Sequence, residues 1–230
     1  MNQNQPLRHL GIIMDGNRRW AKIHGLPSLE GHRRGYNKMK DLVKWCIKKE
    51  IKILTVYAFS TENWTRSRKE VSYLMNLFRQ ALTKDISEIE KQNVKVKVIG
   101  QKHRLAPDLQ KMIKKVEQRT GKNKKLIFNI AISYGGRPEI TQAVRNIIKQ
   151  KIPAEKVSEK LISQNLWTTG EPDSDLIVRT SGEQRLSNFL TWQSAYSELM
   201  FIKKHWPDFT EKDLDKIVTE YKRRQRRFGK

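Results

Sequence analysis

Short apolar runs alternate with longer amphipathic segments along this chain. Five of the runs have the length and composition of strands, and they lie at 10–14, 53–59, 94–99, 126–132 and 176–178. The run at 94–99 alternates apolar and polar residues at period two, whereas the other four are almost continuously apolar. Continuous apolar runs of this length are typical of buried strands.

Six segments show the three-to-four-residue apolar spacing of a helix that buries one face. They lie at 36–49, 70–92, 105–119, 138–150, 154–166 and 210–226. In the first of them Met39, Leu42, Val43 and Ile47 share one side. The last begins with Thr-Glu-Lys-Asp, which predicts a helix cap at Thr210.

Strands separated by helices of this length predict an α/β fold built on a parallel sheet with right-handed crossovers. No repeat, low-complexity stretch or long linker divides the chain, so we expect one domain over 1–230. We expect residues 1–7 to be flexible and 222–230 to form a basic tail. Parallel sheets bind ligands at the carboxyl ends of their strands.

The segments that follow four of the predicted strands share one chemistry. Each carries an arginine, and most add glycine, serine or asparagine, as in 15–20, 59–66, 133–137 and 179–188. Glycine lets backbone N–H groups approach a ligand, and arginine binds phosphate oxygens with two parallel hydrogen bonds. A single Asp-Gly-Asn turn is usually structural, but four such segments at one sheet edge predict a phosphate-binding pocket.

Asp15 is the one acid in the first of these segments, beside Asn17, Arg18 and Arg19. A carboxylate facing phosphates is typical of a Mg²⁺ site, and the alternative is a cap of the following helix. The chain has no P-loop and no Gly-x-Gly-x-x-Gly sequence. The five histidines lack metal-ligand spacing, although His32 stands out between Gly31 and Gly35.

Composition narrows the class of protein. The 230 residues include 37% hydrophobic ones, enough for a core, and a formal net charge of +23. The single cysteine, Cys46, excludes an internal disulfide, and no apolar run is long enough to span a membrane. We therefore expect a soluble protein of a reducing compartment, the cytoplasm. Most lysines are scattered as on a solvated surface, and the basic block at 222–227 suits solvation, an anionic surface or a specific contact.

Five motifs in order resemble the cis-prenyltransferases, most closely their bacterial undecaprenyl diphosphate synthase branch. They are HLGIIMDGNRRWA at 9–21, GHxxG at 31–35, YAFSTENWxR at 57–66, NIAISYGGR at 129–137 and IVRTSGExRxSNFLxWQxAYxE at 177–198. The resemblance extends from about residue 8 to the terminal RRFG. It implies a parallel sheet of about six strands ringed by helices, with a hydrophobic tunnel.

The resemblance also implies a homodimeric transferase that uses Mg²⁺. Its substrates would be farnesyl diphosphate and isopentenyl diphosphate, joined repeatedly with cis double bonds into a long polyprenyl diphosphate carrier for cell-wall glycan assembly. The lipid product would pass to a membrane, with the enzyme peripheral at its inner face, and no nucleic acid would be bound.

Roles are carried over to matching positions. The catalytic residues would be Asp15 and Asn63, and the metal would be held by Asp15 and Glu198. Arg227, Phe228 and Gly229 would reach the neighbouring subunit's site. The substrate-binding residues implied by the motifs are Gly16, Asn17, Arg18, Arg19, Trp20, Ser28, His32, Ser60, Thr61, Glu62, Trp64, Arg66, Arg179, Arg185, Leu186 and Ser187.

Three positions depart from the family pattern. Ser28 stands where the family usually has an arginine, which affects one contact with the allylic diphosphate. Gln184 stands where the family usually has a histidine, which affects a role in proton handling or isopentenyl diphosphate binding. Ser181 replaces a glycine, a change expected to be mild. Helix 70–92, through Leu74, Leu77, Phe78 and Leu82, and strand 53–59, through Ala58, are expected to line the tunnel, with ordinary core as the alternative.

Two other functions stay open at this point. A short-chain relative would stop after one or a few additions. A basic nucleic-acid or membrane-surface binding protein would explain the charge, but it leaves Asp15, Asn63 and Glu198 without a role.

Overall fold

The computed structural model describes residues 6–224, and within them six strands form one sheet. All five pairings are parallel, in the order β3-β4-β2-β1-β5-β6. The strands are β1 (His9–Ile13), β2 (Ile53–Ser60), β3 (Val94–Ile99), β4 (Leu126–Tyr134), β5 (Leu176–Arg179) and β6 (Glu198–Phe201). The predicted parallel sheet is confirmed. The residue pattern found the first five strands and missed β6, which has four residues and little periodicity.

Within residues 6–224, eight α-helices connect or follow the strands. They are α1 (Asn17–Ile23), α2 (Ser28–Lys48), α3 (Arg68–Thr83), α4 (Ile86–Lys91), α5 (Pro107–Thr120), α6 (Gly136–Lys149), α7 (Glu159–Asn165) and α8 (Glu211–Arg223). The cap predicted at Thr210 is confirmed, because the Thr210 amide donates to Asp213 Oδ2 at 2.8 Å and its hydroxyl accepts from the Asp213 amide at 3.3 Å.

The helix predicted over 70–92 is two helices, so that prediction is wrong at its centre. The chain turns at Asp85, whose carboxylate accepts hydrogen bonds from the Tyr36 hydroxyl and from Lys40 Nζ, both on α2. These tertiary contacts end α3 and start α4, although the apolar spacing continues across the turn. Similarly, 154–166 is α-helical only over α7, which begins after the Ser158 cap.

Helix α2 begins eight residues before its predicted start and includes the glycines of the GHxxG motif. Gly31 is required there by close packing rather than by a turn. A β-carbon at Gly31 would lie 2.0 Å from the Asn17 carbonyl oxygen of α1. The glycine therefore brings α2 onto α1, a short helix that the apolar pattern did not predict.

Successive strand residues face opposite sides of the sheet and bury two cores. Leu10 and Ile12 of β1 belong to the larger core, which includes Leu42 of α2 and Leu109 of α5. Ile13 belongs to a smaller core on the other face, with Tyr134 and the 186–190 segment. Both faces of the sheet are therefore covered, which explains why most of the strands are almost continuously apolar.

The ends of the chain are described in part. Of the start expected to be flexible, 1–5 lie outside the described residues, and Leu7 is buried in the larger core. Of the basic tail, 225–230 lie outside them, and Arg224 donates to Glu198 Oε2 at 2.8 Å. Among the described residues no helix combines the length and apolar character needed to cross a bilayer.

Strand register determines where the functional segments meet. Ile13 lies opposite Tyr57 of β2 and opposite Arg179 of β5. The segments that follow β1, β2 and β5 therefore leave the sheet side by side, at its carboxyl edge.

Candidate active site

A cleft of about 1140 Å³ opens at this carboxyl edge. It lies between the ends of β1, β2 and β5 on one side and the α1–α2 connection on the other. Its lining includes the following residues of the predicted site: Asp15, Gly16, Asn17, Arg18, Arg19, Ser28, His32, Ser60, Glu62, Asn63, Arg66, Arg179 and Ser187. Segments more than 160 residues apart in the chain thus supply one cavity, as the strand ends predicted.

The turn after β1 depends on Gly16. This residue has a φ of +101°, in the left-handed region that favours glycine. A β-carbon there would also lie 2.6 Å from His205 Nδ1 and 2.8 Å from Ser181 Oγ. The turn is further held by the Asp15 carbonyl, which accepts from the Thr180 hydroxyl at 2.6 Å and the Trp206 amide at 3.0 Å.

Asp15 is an ionised carboxylate surrounded by donors. Its Oδ2 accepts from Arg179 Nη2 at 2.8 Å, and its Oδ1 accepts from the Gly16 amide at 2.7 Å and lies 3.3 Å from Arg19 Nη2. Burial raises the pKa of Asp15, but Arg179, Arg19 and the Gly16 amide outweigh burial and hold that pKa below its usual range. The group is therefore charged at neutral pH and able to bind a cation.

Arg179 is a buried cation of the site, with 5% of its surface exposed. Besides Asp15, its guanidinium donates to Ser187 Oγ at 2.8 Å and to the Arg185 carbonyl at 2.5 Å. A planar group with five N–H donors can make all these contacts at once. Arg179 thereby joins the 185–187 segment to the Asp15 turn.

The segment after β2 places amide and carboxylate groups in the cleft. Asn63 Oδ1 accepts from the Ser60 amide at 3.0 Å, which orients the Asn63 side chain. Glu62 lies 3.4 Å from Asn188 Nδ2 across the cleft. Burial raises the pKa of Glu62, but hydrogen bonds from its own amide, Ser60, Asn188 and Thr61 bring it below its usual value.

One wall of the cleft is organised by Glu70 of α3. Its Oε1 is 3.0 Å from His32 Nε2 and 3.0 Å from Arg66 Nη1, and its Oε2 is 3.9 Å from Arg18 Nη1. Burial lowers the pKa of His32 although Glu70 opposes the shift, so His32 is neutral at pH 7 and donates Nε2–H to Glu70. One carboxylate therefore positions three predicted diphosphate-binding side chains.

The cleft lining also includes apolar side chains. Met14, Ala58 and Leu74 line the cleft, and Leu74 belongs to the larger core as well, so both interpretations given for the expected tunnel residues apply to it. Leu82, by contrast, is buried in the larger core, and Leu77 and Phe78 pack against that core without lining the cleft. For these three side chains the core alternative is the observed one.

Several predicted substrate contacts do not face the cleft. Trp20 is 5% exposed and donates from Nε1 to Asp208 Oδ1 at 2.7 Å, and Trp64 donates to Ser133 Oγ at 2.9 Å. Thr61 lies beside Gly135, and Leu186 packs on the smaller core. Arg185 is exposed and ion-paired with Glu183. None of these five side chains is part of the cleft lining.

The segment after β4 supports the cleft without lining it. The amide of Gly136 donates to the Asn188 carbonyl at 2.7 Å, and the Arg137 amide donates to Asn188 Oδ1 at 2.9 Å. Arg137 is absent from the cleft lining. Of the four segments predicted to bind phosphate, those that follow β1, β2 and β5 therefore line the cavity. The segment that follows β4 instead binds the loop that contains Asn188.

Glu198 requires a correction. It begins β6 opposite Leu176, the first residue of β5, whereas Asp15 follows the carboxyl end of the sheet. Its carboxylate accepts from Arg224 at 2.8 Å. Within one chain Asp15 and Glu198 cannot hold the same metal ion, because β6 runs parallel to its neighbours and places Glu198 at the opposite edge. Residues 6–224 contain no group of three His, Cys, Asp or Glu arranged to hold a metal.

The sequence prediction missed other cleft residues. Lys22, Leu26 and Pro27 line the mouth from the end of α1 and the connection to α2. Tyr57 lines the interior and donates to the Ser187 carbonyl at 3.2 Å. Lys22 was missed along with α1, whereas Tyr57 was available as the first residue of the YAFSTENWxR motif.

Comparisons with known proteins identify the family. A model of the family described as putative undecaprenyl diphosphate synthase matches residues 13–229. An isoprenyl transferase of Thermotoga maritima is 46% identical over 224 residues, covering 96% of each chain. A ditrans,polycis-undecaprenyl-diphosphate synthase of Legionella pneumophila, named as (2E,6E)-farnesyl-diphosphate specific, is 41% identical and covers all of this chain and 98% of its own.

Solved structures of related proteins have the same fold as this chain. A probable undecaprenyl diphosphate synthase from Campylobacter jejuni has a TM-score of 0.83 and 35% identity, with complete coverage of both chains. Lavandulyl diphosphate synthase from Lavandula x intermedia, in complex with dimethylallyl diphosphate, has a TM-score of 0.93 and 37% identity over 97% of this chain and 98% of its own. With the family model matching nearly the whole chain, the protein belongs to the undecaprenyl diphosphate synthase family and is a cis-prenyltransferase.

Proposed function

We propose that this cis-prenyltransferase uses Mg²⁺ to condense isopentenyl diphosphate repeatedly onto farnesyl diphosphate, giving an undecaprenyl-type diphosphate. The main support is the pairing of Asp15 with Arg179 in a cleft whose lining combines Arg18, Arg19 and Arg66 with the apolar side chains Met14, Ala58 and Leu74. Diphosphate heads suit the arginines and prenyl chains suit the apolar side chains. The Legionella relative is named for farnesyl diphosphate.

The residues present fit a magnesium ion held by one side chain. Asp15 is half-buried and ionised, and the cleft around it presents Arg18, Arg19, Arg66 and Arg179. Mg²⁺ is typically held by one or two carboxylates together with substrate phosphate oxygens. Asp15 would hold the ion with a diphosphate, and the ion would supply charge neutralisation to the leaving group.

Two groups of side chains suit two diphosphates. On the α1–α3 side, the Glu70 carboxylate contacts Arg18, Arg66 and His32. These side chains, together with the Gly16–Arg19 turn, suit the allylic diphosphate. Arg179 and Ser187 lie on the β5 side and suit isopentenyl diphosphate. Asp15 lies between the groups, since it contacts Arg19 and Arg179.

The chemistry asks little of the chain beyond positioning and charge. In each cycle the allylic carbon–oxygen bond breaks, that carbon bonds to the terminal alkene carbon of isopentenyl diphosphate, and one diphosphate and one proton leave. The cleft arginines stabilise the departing negative charge. Asn63, oriented by the Ser60 amide, would align the reacting ends.

A homodimer with a shared site is part of the proposal. β6 is an edge strand with Leu199 exposed, and Tyr196 just before it is 68% exposed. An exposed strand edge with apolar side chains suits packing against a second copy. Glu198 and Arg224 lie at this edge, next to the start of the tail, and Arg227, Phe228 and Gly229 lie outside the described residues. In a dimer formed through this edge, Glu198 and the start of the tail of each subunit would lie at the interface with the other subunit.

The proposal includes a cytoplasmic location, use of the product for cell-wall glycan carriers, and transfer of that product to the membrane. The charge of +23 supports contact with anionic surfaces. Nucleic acid is not a proposed partner, because Arg179 and Arg66 of the cleft are engaged with Asp15, Ser187 and Glu70.

A short-chain product is the second candidate, favoured by the TM-score of 0.93 to lavandulyl diphosphate synthase. The test is incubation with farnesyl diphosphate, labelled isopentenyl diphosphate and Mg²⁺, with and without chelator, followed by chromatographic sizing. A long polyprenyl diphosphate formed only with free Mg²⁺ supports the proposal. A product that stops after one to three additions supports the second candidate, and full turnover in chelator contradicts the magnesium requirement.

A further inference from the structure

The connection between α1 and α2 exposes apolar side chains beside the cleft mouth. Ile23, at the end of α1, is 70% exposed, and Leu26 is 36% exposed. Gly25 between them has open space around it, since a β-carbon there would meet no atom within 4 Å. Residues 23–27, here called the mouth tip, therefore project from the molecule. Leu26 and Pro27 also line the cleft.

The sequence on either side of the mouth tip is rich in positive charge. Residues 16–40 contain seven lysines and arginines and one acid, Glu30. The exposed fraction is 59% for the Arg18 side chain and 53% for each of Arg33 and Arg34. Glu30 pairs with Arg33 and Arg34, so it offsets one of these charges and not the group.

We propose that the mouth tip docks the cleft onto the surface of an anionic lipid bilayer, with Ile23 and Leu26 entering the headgroup boundary. Exposed apolar side chains flanked in sequence by exposed arginines match such a surface in both respects. The placement gives an apolar product a direct route, because the side chains that would touch the lipid adjoin the cleft that would hold the prenyl chain. The inference rests on the proposed function for this use of the contact.

Other partners fit this surface less well. A nucleic acid would engage the arginines but leave Ile23 and Leu26 against phosphates. A second copy of the chain at the mouth tip would cover the cleft entrance, whereas the exposed β6 edge offers a contact away from it. A fluid lipid surface accepts the apolar tip and still exchanges with the cleft.

The test compares Ile23→Glu with Ile148→Glu in sedimentation with vesicles. Ile148 is a matched control, an isoleucine of 68% exposure on α6. The wild type should bind phosphatidylcholine vesicles that contain 30% phosphatidylglycerol. Ile23→Glu should bind them about tenfold more weakly, and Ile148→Glu should bind them as the wild type does. Vesicles of pure phosphatidylcholine, or half-molar salt, should weaken vesicle binding by the wild type. Equal binding by Ile23→Glu, or equal loss in Ile148→Glu, overturns the proposal.

A fluorescent label gives a second readout that does not depend on affinity. The single cysteine, Cys46, is buried, and burial raises the pKa of its thiol, so it should resist labelling. An environment-sensitive dye on Ile23→Cys should shift to the blue with anionic vesicles, and the same dye on Ile148→Cys should not. No shift at Ile23→Cys overturns the proposal.

Two controls separate this inference from its alternatives. Turnover of Ile23→Glu in detergent solution should match the wild type, because Ile23 is outside the cleft lining. An inactive wild type would contradict the proposed function, whereas an active enzyme with unchanged vesicle binding contradicts only the docking surface. Duplex DNA that displaces vesicles equally from wild type and Ile23→Glu would indicate a nucleic-acid surface instead.

Discussion

Arg179 and Asp15 form a two-contact ion pair, with Arg179 Nη2 at 2.8 Å and Nε at 3.3 Å from Asp15 Oδ2. The pair joins the end of β5 to the turn after β1. The carboxylate that would hold the proposed cation is thus paired with a buried guanidinium. A diphosphate with a metal ion would satisfy both partners, because it would offer oxygens to Arg179 and a cation to Asp15.

Replacing Asp15 tests its role directly. Asp15→Asn keeps the shape but removes the charge, and we expect turnover to fall at least about a hundredfold. Arg179 would lose its counter-charge, so the free energy of unfolding should fall by about 1–3 kcal/mol. Steady-state incorporation of labelled isopentenyl diphosphate and urea unfolding measure the two effects.

Asp41→Asn is the control for Asp15→Asn. Asp41 lies on α2, is 48% exposed and is 4.0 Å from Lys38. Both quantities should match the wild type in this variant. Retained turnover in Asp15→Asn would contradict the assignment of Asp15.

Arg179→Lys tests the guanidinium geometry. Lysine keeps the charge but cannot reach Asp15, Ser187 and the Arg185 carbonyl together. We expect KM for isopentenyl diphosphate to rise about tenfold or more, with a smaller change in kcat. Arg145→Lys, at an exposed site on α6, should leave both constants unchanged. An unchanged KM in Arg179→Lys would place the isopentenyl site elsewhere.

Ser181 offers a test of backbone strain, because it has a φ of +77° and its hydroxyl lies 2.7 Å from His205 Nδ1. Ser181→Gly relieves strain of about 1 kcal/mol but loses a hydrogen bond of similar value, so stability should change by less than about 1 kcal/mol. Ser181→Ala keeps the strain and loses the bond, and it should destabilise by about 1–2 kcal/mol. Urea midpoints measure both, and an alanine variant as stable as the glycine variant would contradict this account.

The buried His9 predicts how stability depends on pH. Its Nδ1 lies 2.9 Å from the Pro172 carbonyl and its Nε2 lies 2.8 Å from Thr55 Oγ1. Burial lowers the pKa of His9 in the fold despite opposing contacts with Pro172 and nearby acids. Below about pH 6.5 the unfolded chain therefore binds a proton that the folded chain does not, so stability falls as pH decreases.

The slope attributable to His9 is at most about 1.4 kcal/mol per pH unit, and His32 adds to it in the same direction. His9→Gln should reduce the slope of unfolding free energy between pH 7.5 and 5.5. His103→Gln, at an exposed residue, should not. An equal slope in His9→Gln and wild type would show that His9 does not contribute.

Local sequence patterns determined much of this protein. Apolar runs located five strands because a strand covered on both faces must be apolar along its length. The parallel register then required the segments at Asp15, Asn63 and Arg179 to meet, which the cleft confirms. The motifs identified the family because positions such as Gly16, in a turn with positive φ and close neighbours, permit few residue types.

Tertiary contacts decided the remainder. Asp85 ended α3 because Tyr36 and Lys40 of another helix bind it, and Trp20 turned from the cleft to donate to Asp208. Glu198 was separated from Asp15 by the direction of β6, a strand too short to show a pattern. A local pattern records which side chains avoid water, whereas the partner of each polar group depends on residues brought near by folding of the whole chain.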